Sequence, residues 1–250
     1  MQQFYRCIWG EFKKRRRSYF PLLHLLLPIL LSSILVLYFL SRNIQLYPET
    51  SYRIFFEIIG VSTPVAISII CGMVADAENE ASHFYNMLGV FQSKITTFLS
   101  QIIMMIFSYG LAIFTTISIY ILGLKFIVNV EEVNLSLYYL TGIIHIAGSI
   151  FQYFFYHYIS YKYGIEISGI LGFGGMIIAA LSLTTLGDKI WVYLPWAWAN
   201  RFSEYLTDII LPFNTYIPIN GIFSFMILTI GIIIISIIWI SNWEGRKTIT

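Results

Sequence analysis

Long apolar stretches alternate with short polar ones along the whole chain. A helix needs about 20 predominantly apolar residues to cross the hydrocarbon core of a bilayer. Six stretches meet this requirement, although glycines interrupt the fifth: residues 20–40, 54–75, 98–124, 136–160, 166–187 and 221–240. The pattern therefore predicts an all-α membrane protein, with six transmembrane helices in a single transmembrane domain that covers residues 1–250.

The composition supports this class and argues against a soluble domain. Hydrophobic residues make up 58% of the chain and charged residues only 11%, whereas about 25% of the residues in a soluble domain are charged. The net charge of +2 is too small to indicate a nucleic acid as partner. Cys7 and Cys71 lie in different segments of the chain, and we expect both to be free thiols.

Lys and Arg residues predict the orientation of the spans, because they are enriched in cytoplasmic loops. With six spans, both termini lie on the same side of the membrane. Ten of the fifteen Lys and Arg residues fall on that side: Arg6, Lys13, Lys14, Arg15, Arg16, Arg17, Lys94, Lys162, Arg246 and Lys247. Both termini are therefore expected in the cytoplasm. The first apolar run is too long for a signal peptide, so we expect it to remain as a span.

The residues before the first span have the pattern of an amphipathic helix. Within residues 1–18, Phe4, Ile8 and Phe12 recur every four positions, and basic residues follow them. Such a helix would lie in the cytoplasmic membrane interface, with its rings at the acyl boundary and its bases among anionic headgroups. The alternative is a basic anchor that only sets the topology, and the two interpretations are compatible.

The segment between the second and third spans is unusually acidic. Residues 71–94 read CGMVADAENEASHFYNMLGVFQSK, with Asp76, Glu78 and Glu80 close together and no base before Lys94. We predict a short amphipathic cytoplasmic helix here. Asp76 would cap it, and the two glutamates would lie in its first turns, where the helix dipole favours acids. The alternative is a solvated turn whose acids only aid solubility.

Motifs for catalysis are missing from the sequence. The patterns GxxxxGK[ST], HExxH and GxSxG do not occur, so no catalytic residue and no metal site is predicted. The chain carries four histidines: His24, His83, His145 and His157. Because the last two are about three turns apart on one span, we interpret them as packing or pore-lining residues. An intramembrane protease is a weaker hypothesis, since the Glu131–Glu132 pair has no Arg after it.

One acid, Glu57, lies within the first turns of the second span. Acids inside a membrane usually face the interior of a bundle or an aqueous cavity, which makes Glu57 a candidate for a substrate path. The alternative is a position near the outer interface, where Glu57 pairs with Arg53 one turn earlier. The sequence leaves both open.

Small residues form a stripe on the fifth span. Ser168, Gly172, Gly175 and Ala179 recur at spacings of four, three and four, which places them on one helix face. Such a stripe permits close approach of another helix. We predict a subunit interface, and packing within one bundle is the alternative.

Aromatic residues and prolines mark the segment before the last span. Residues 191–218 include Trp191, Trp196 and Trp198, and indole rings are typical of a membrane–water interface. Prolines in the segment prevent one continuous span. We predict short extracellular helices, with Trp196 and Trp198 at the outer surface as a rim that a transported amphiphile could meet. A purely structural aromatic belt is the alternative.

The order of these features resembles the permease subunit of type 2 ATP-binding-cassette (ABC) exporters. Two stretches are most similar to the lantibiotic-immunity permeases of Gram-positive bacteria. One is ADAENEASHFYNMLGVFQSKITTFLSQI at 75–102, with paired glutamates, a short amphipathic helix and a base entering the third span. The other is YLPWAWANRF at 193–202, similar to the proline–tryptophan segment before the last span.

This resemblance implies a transport subunit of the bacterial plasma membrane and not an enzyme. A second permease, either a paralogue or another copy, would pair with it. Cytoplasmic ABC ATPase subunits would bind below and carry the ATP and Mg, so no cofactor is expected in this chain. The complex would expel an antimicrobial peptide from the membrane and so give immunity or resistance.

The acidic helix would dock on the ATPase in this arrangement. Phe84 and Tyr85 would be the buried anchors, and Asp76, Glu78 and Glu80 would belong to the same coupling surface. The main alternative is a secondary transporter or channel that needs no ATPase. Inverted repeats would favour that alternative, and the two halves of the sequence show no convincing repeat.

Overall fold

The computed structural model describes residues 2–42, 48–82, 84, 93–130, 132–210 and 217–245. These residues are mainly helical and form no β-strand. The helices, in chain order, are α1 (Gln2–Arg15), α2 (Tyr19–Arg42), α3 (Pro48–Ser82), α4 (Lys94–Gly123), α5 (Leu135–Tyr163), α6 (Ile165–Ser182), α7 (Trp198–Ile210) and α8 (Ile219–Asn242). A π-helical turn (Leu124–Val128) extends α4, and a 3₁₀ turn (Trp191–Tyr193) precedes α7.

Six of these helices, α2 to α6 and α8, are long and apolar enough to cross a membrane. This confirms the prediction of an all-α, multi-pass membrane protein. Several helix ends differ from the predicted spans; α3, for example, begins at Pro48, six residues before the predicted start of the second span. Helix α3 continues through the acidic segment to Ser82, and α6 ends at Ser182, five residues before the predicted end of the fifth span.

Helix α3 lies at the centre of the bundle. It packs mainly against α6 and α5, whereas α2 packs mainly against α4. In its most apolar window, 61% of α3 is buried inside the protein, compared with 17% of α8. A displacement of α3 would therefore disturb more packing contacts in the bundle than a displacement of α8.

The spanning helices alternate in direction, which gives the bundle two ends. We call the end that carries α1 the α1 end, and the opposite one the far end. The α1 end also holds the C-terminal turns of α3 and the connection between α5 and α6. Gly164 makes that connection with a φ of 98°, a conformation that favours glycine.

Many hydroxyl groups in the apolar bundle bond to their own helix. Thr63, Ser108 and Thr141, for example, donate to the backbone carbonyl four residues earlier at 2.7–2.9 Å. Buried polar groups are costly unless they are hydrogen-bonded. These bonds allow polar side chains to face the interior of a membrane bundle.

Candidate functional site

A cluster of charged side chains joins α1 to the end of α3. The Glu78 carboxylate is buried, with 3% of the residue exposed. Its Oε1 accepts from Arg15 Nη2 at 2.9 Å and from Lys14 Nζ at 3.2 Å. Glu11 adds a second carboxylate, 2.7 Å from the Lys14 ammonium and 3.6 Å from the Arg15 guanidinium. We call Glu11, Lys14, Arg15 and Glu78 the α1–α3 charge cluster.

The two acids and two bases of the α1–α3 charge cluster balance each other. Burial opposes the charged form of Lys14, but the neighbouring carboxylates of Glu11 and Glu78 outweigh this effect and raise the pKa of Lys14. Removing one partner of a buried ion pair typically costs about 3–5 kcal/mol, because the other charge stays buried and uncompensated. Glu78 therefore fixes the position of α1 on the end of α3.

The acidic segment is part of α3 and not a separate helix. Asp76, Glu78 and Glu80 all lie in the last turns of α3, so the prediction that Asp76 caps a new helix is wrong. The physical reason is local: Ala75, Ala77 and Ala81 favour helix, and no Gly or Pro interrupts residues 73–82. Within these turns Asp76 is half-buried and Glu80 is exposed.

The Phe84 side chain packs against other parts of the same chain. It is 2% exposed and packs against Tyr161 of α5 and Trp243 beyond α8, with ring centroids 5.6 and 4.9 Å apart. A backbone bond from Phe84 N to the Glu78 carbonyl oxygen, at 3.3 Å, holds the chain in this position. Phe84 is thus covered by its own protein rather than presented as an exposed anchor. Tyr85, the other predicted anchor, lies outside the described residues.

Helix α1 has one face against the bundle and one face away from it. Phe12 packs edge-on against Phe107 of α4 at 5.9 Å, and Cys7 is buried on the same helix. Tyr5 and Trp9 are exposed. Three basic residues are exposed as well: Lys13 on α1, and Arg16 and Arg17 in the turn that follows it. The helix therefore combines exposed rings with exposed cations.

The small-residue stripe of α6 packs inside the bundle. Ser168, Gly172, Gly175 and Ala179 are all buried. Ser168 Oγ donates to the Ser68 carbonyl oxygen of α3 at 3.1 Å. The predicted subunit interface at this stripe is therefore wrong, and the alternative of internal packing holds. The reason is that other parts of the same chain take the close contacts that the glycines permit: Ser68 of α3 at Gly172, and Trp196 and Tyr156 at Gly175.

The segment with Trp191, Trp196 and Trp198 folds inward and packs within the bundle. Trp198 is fully buried (0% exposed), and Trp191 is buried as well. Half-buried Trp196 donates from Nε1 to the Tyr156 hydroxyl at 2.8 Å. A Cβ at Gly175, near the middle of α6, would clash with the Trp196 ring. The prediction that Trp196 and Trp198 lie at the outer surface is therefore wrong.

Local packing and hydrogen bonding explain why these rings are inside. Gly221 of α8 leaves room for the Trp191 ring, because a Cβ at position 221 would clash with that ring. The Trp198 Nε1 donates to the Val192 carbonyl oxygen at 3.1 Å. An indole whose N–H finds a partner loses little by leaving the interface and gains apolar contact area.

Arg201 fastens this inward segment to the end of α6. Its guanidinium forms ion pairs with Asp188 at 2.6 Å and Glu204 at 3.1 Å. Its Nε also donates to the carbonyl oxygen of Ser182, the last residue of α6, at 2.9 Å. Arg201 therefore holds the first turn of α7 against the C-terminal end of α6.

Glu57 is half-buried in α3, nine residues from its first residue. The charged groups near it are Arg53, one turn earlier, and Glu204 of α7. Among the described residues it forms no ion pair within 4.0 Å. Neither a cavity position nor an interface pair with Arg53 is therefore established for Glu57.

A row of buried polar residues follows the inner face of α5: Tyr138, Thr141, His145, Ser149, Gln152, His157, Ser160 and Tyr161. At its α1 end, Gln101 Oε1 of α4 lies 3.0 Å from His157 Nε2 and accepts from the Tyr161 hydroxyl at 2.6 Å. His145 has no hydrogen-bond partner in the described part of the chain. Within that part, no group of three or more His, Cys, Asp or Glu residues could hold a metal ion.

Sequence reasoning missed the intramolecular role of the charges at the α1 end. Arg15 was assigned only to the basic run that sets topology, and Glu11 was not singled out. The signal was present, since Glu11 and Arg15 are four residues apart and share a helix face. Their partner Glu78 is 63 residues from Arg15 in the chain, and only the fold brings it to them.

Comparison of the sequence with protein-family models and with curated proteins gives no match.

Proposed function

We propose that the chain is the membrane-spanning permease subunit of an ABC exporter that expels a lantibiotic-like antimicrobial peptide from the membrane. Its orientation would place the α1 end in the cytoplasm of a bacterium. The observation that carries the proposal is the α1–α3 charge cluster. It ties an amphipathic helix at one end of the bundle to the most central spanning helix.

This connection suits a subunit that is driven from outside the membrane. A partner that pushed on α1 would move the end of α3, because the buried Arg15–Glu78 pair resists separation. The movement would pass to α5 and α6, which pack against α3. ATP hydrolysis would come from the partner, since this sequence has no GxxxxGK[ST] motif.

The surface for that partner differs from the predicted one. Phe84 and Glu78 are engaged within the chain, so they would transmit force rather than touch the ATPase. Glu80 is exposed at the end of α3, and Lys13 is exposed on α1, the helix that the charge cluster holds to this end of α3. We assign the direct contact to this corner and keep Glu80 as its acidic residue.

A cavity at the far end supports the peptide-export part of the proposal. Its volume is about 880 Å³, and its lining includes Glu49, Glu132 and Lys125 as well as the rings of Tyr52 and Tyr138. Among the described residues of the lining, two carboxylates and one ammonium give a net negative charge. Together with tyrosine rings, such a lining favours a cationic, amphiphilic substrate over an anionic one.

Co-purification tests the proposal. The tagged chain, isolated from membranes of its native host in mild detergent, should bring down a separate polypeptide with ATPase activity. Glu80→Lys should reduce the ATPase recovered per permease at least fivefold. Glu49→Lys is the matched control, because Glu49 is exposed in the first turn of the same helix at the far end. Recovery without any ATP-hydrolysing partner would contradict the proposal.

A second candidate is a proton-coupled secondary transporter. The buried polar row on α5 favours it, since chains of histidines and other polar side chains inside a membrane often carry protons. The two candidates differ in their energy source. Uptake or release in vesicles that follows an imposed pH gradient, without ATP or a partner protein, would favour the second.

A further inference from the structure

An apolar groove runs along the membrane-facing side of the bundle between α2, α3 and α4. Its volume is about 500 Å³. Leu27, Leu31 and Ile34 of α2 form one wall, and Ile59 and Ala66 of α3 belong to the other. All three helices belong to the described residues along the full length of the groove.

The dimensions of the groove suit a single hydrocarbon chain. On α2 it extends from Leu23 to Leu35, which is about 18 Å at a rise of 1.5 Å per residue. One leaflet of the hydrocarbon core is about 15 Å deep, half of about 30 Å. Dividing the volume by this length gives a mean cross-section of about 30 Å². A helix, about 10–12 Å across with its side chains, is too wide to enter.

The end of the groove towards the α1 end carries polar chemistry. His24 lines it, and its Nδ1 lies 2.8 Å from the Phe20 carbonyl oxygen, to which it donates. This leaves the His24 Nε2 lone pair as an acceptor, and that buried atom has no hydrogen-bond partner in the described residues. Arg16 and Arg17 are exposed in the turn just before α2.

We propose that this groove binds one acyl chain of an anionic phospholipid whose headgroup also carries a hydroxyl, such as phosphatidylglycerol. The chain fills the groove, and the phosphate lies near Arg16 and Arg17. The headgroup hydroxyl donates to His24 Nε2. The site does not depend on the proposed transport function, because it follows only from the shape, polarity and charge of this face.

The proposal commits to lipid over a second copy of the chain for two reasons. The groove is too narrow for a helix, so a partner helix could only cover it and would leave a void of about 500 Å³. Arg16 and Arg17, exposed in the turn just before α2 and so before the His24 end of the groove, also favour an anion. Anionic headgroups attract exposed Lys and Arg near a membrane surface with about 1 kcal/mol per residue.

Filling the groove tests the acyl-chain part. Ala112 lies on its α4 wall, and Ala112→Trp should obstruct it. The matched control is Leu111→Trp, since Leu111 is the next residue, is exposed and is not part of the lining. After purification in mild detergent, native mass spectrometry should find at least tenfold less phosphatidylglycerol per chain for Ala112→Trp than for the control. Equal retention by both variants would overturn the proposal.

A second variant tests the headgroup part without changing the groove. In Arg16→Gln with Arg17→Gln, the chain should retain phosphatidylglycerol and phosphatidylcholine equally, whereas the unmodified chain should prefer the former at least fivefold. Lys125→Gln, an exposed cation at the far end, should keep the preference. Preference that survives in the double variant would overturn the anionic site. Loss of self-association in Ala112→Trp, with no bound lipid in either protein, would assign the groove to a second copy instead.

Discussion

Replacing Glu78 with Gln should release α1 from the bundle. The substitution keeps the size of the side chain and removes its charge. Arg15 then remains buried, with only the Glu11 carboxylate at 3.6 Å to compensate it. We therefore expect α1 to detach more often, while the spanning helices stay folded.

The magnitude follows from the burial of the pair. Breaking a buried ion pair by removing one partner costs about 3–5 kcal/mol. Because Glu11 compensates part of the charge of Arg15, we take the lower figure of about 3 kcal/mol. Each 1.4 kcal/mol is a factor of ten in an equilibrium constant, so the detached population should rise by roughly 10²-fold.

Cys7 provides the assay. It is 8% exposed on α1, and it should react with a water-soluble maleimide only when α1 detaches. When detachment is fast compared with labelling, the labelling rate follows the detached population. In purified protein, the Cys7 rate should therefore rise by roughly 10²-fold in Glu78→Gln. Cys71, which is fully buried in α3, should stay protected and report that the bundle is intact.

Two further variants make the result decisive. Lys13→Gln also removes one charge, but from an exposed position on α1, and it should change the Cys7 rate less than twofold. Adding Arg15→Gln to Glu78→Gln removes the uncompensated cation and should recover part of the protection. Equal Cys7 rates in Glu78→Gln and Lys13→Gln would refute the argument that the charge cluster holds α1.

Two predictions concern packing, and thermal unfolding in detergent measures both. Gly172→Val should lower the stability by about 1–3 kcal/mol, because its side chain would collide with Ser68 of α3. Gly174→Val is the control and should not lower it, because a side chain at that position meets open space. Equal effects of the two variants would contradict the packing of the small-residue stripe inside the bundle. Trp198→Ala should cost about 3–5 kcal/mol because the ring is fully buried. Tyr193→Ala is the control and should leave the stability nearly unchanged, because Tyr193 is 70% exposed. An equally small effect of Trp198→Ala would contradict the burial of the Trp198 ring.

The spans were predictable because the bilayer imposes a length and an apolar composition that a single segment reveals by itself. Predictions about contacts between segments were less successful. The stripe at Gly172 correctly indicated a close helix contact, but a periodic pattern on one helix does not identify the helix on the other side. The partner is α3 of the same chain, and nothing in the sequence of α3 announces it.

The errors at Asp76 and Trp198 have a similar origin. Asp is a good N-cap, but it caps only where a helix begins, and α3 had not ended. Trp favours interfaces as a free side chain, but a backbone carbonyl inside the fold satisfies the Trp198 N–H equally well. In both cases the surrounding structure overrode a local preference. Glu78 is a similar case, because it was predicted to contact a partner protein and instead pairs with Lys14 and Arg15 of α1.

Transport in reconstituted vesicles is the sharpest test of whether the chain is an ATPase-driven exporter. The purified chain is placed in liposomes with and without the ATPase that copurifies with it, and the movement of a fluorescent cationic lanthionine peptide is followed. We expect movement of the peptide only when the partner and ATP are both present, and we expect that movement to be lost in Glu78→Gln despite normal insertion. Rapid movement by the chain alone, unchanged by ATP or by Glu78→Gln, would contradict this expectation.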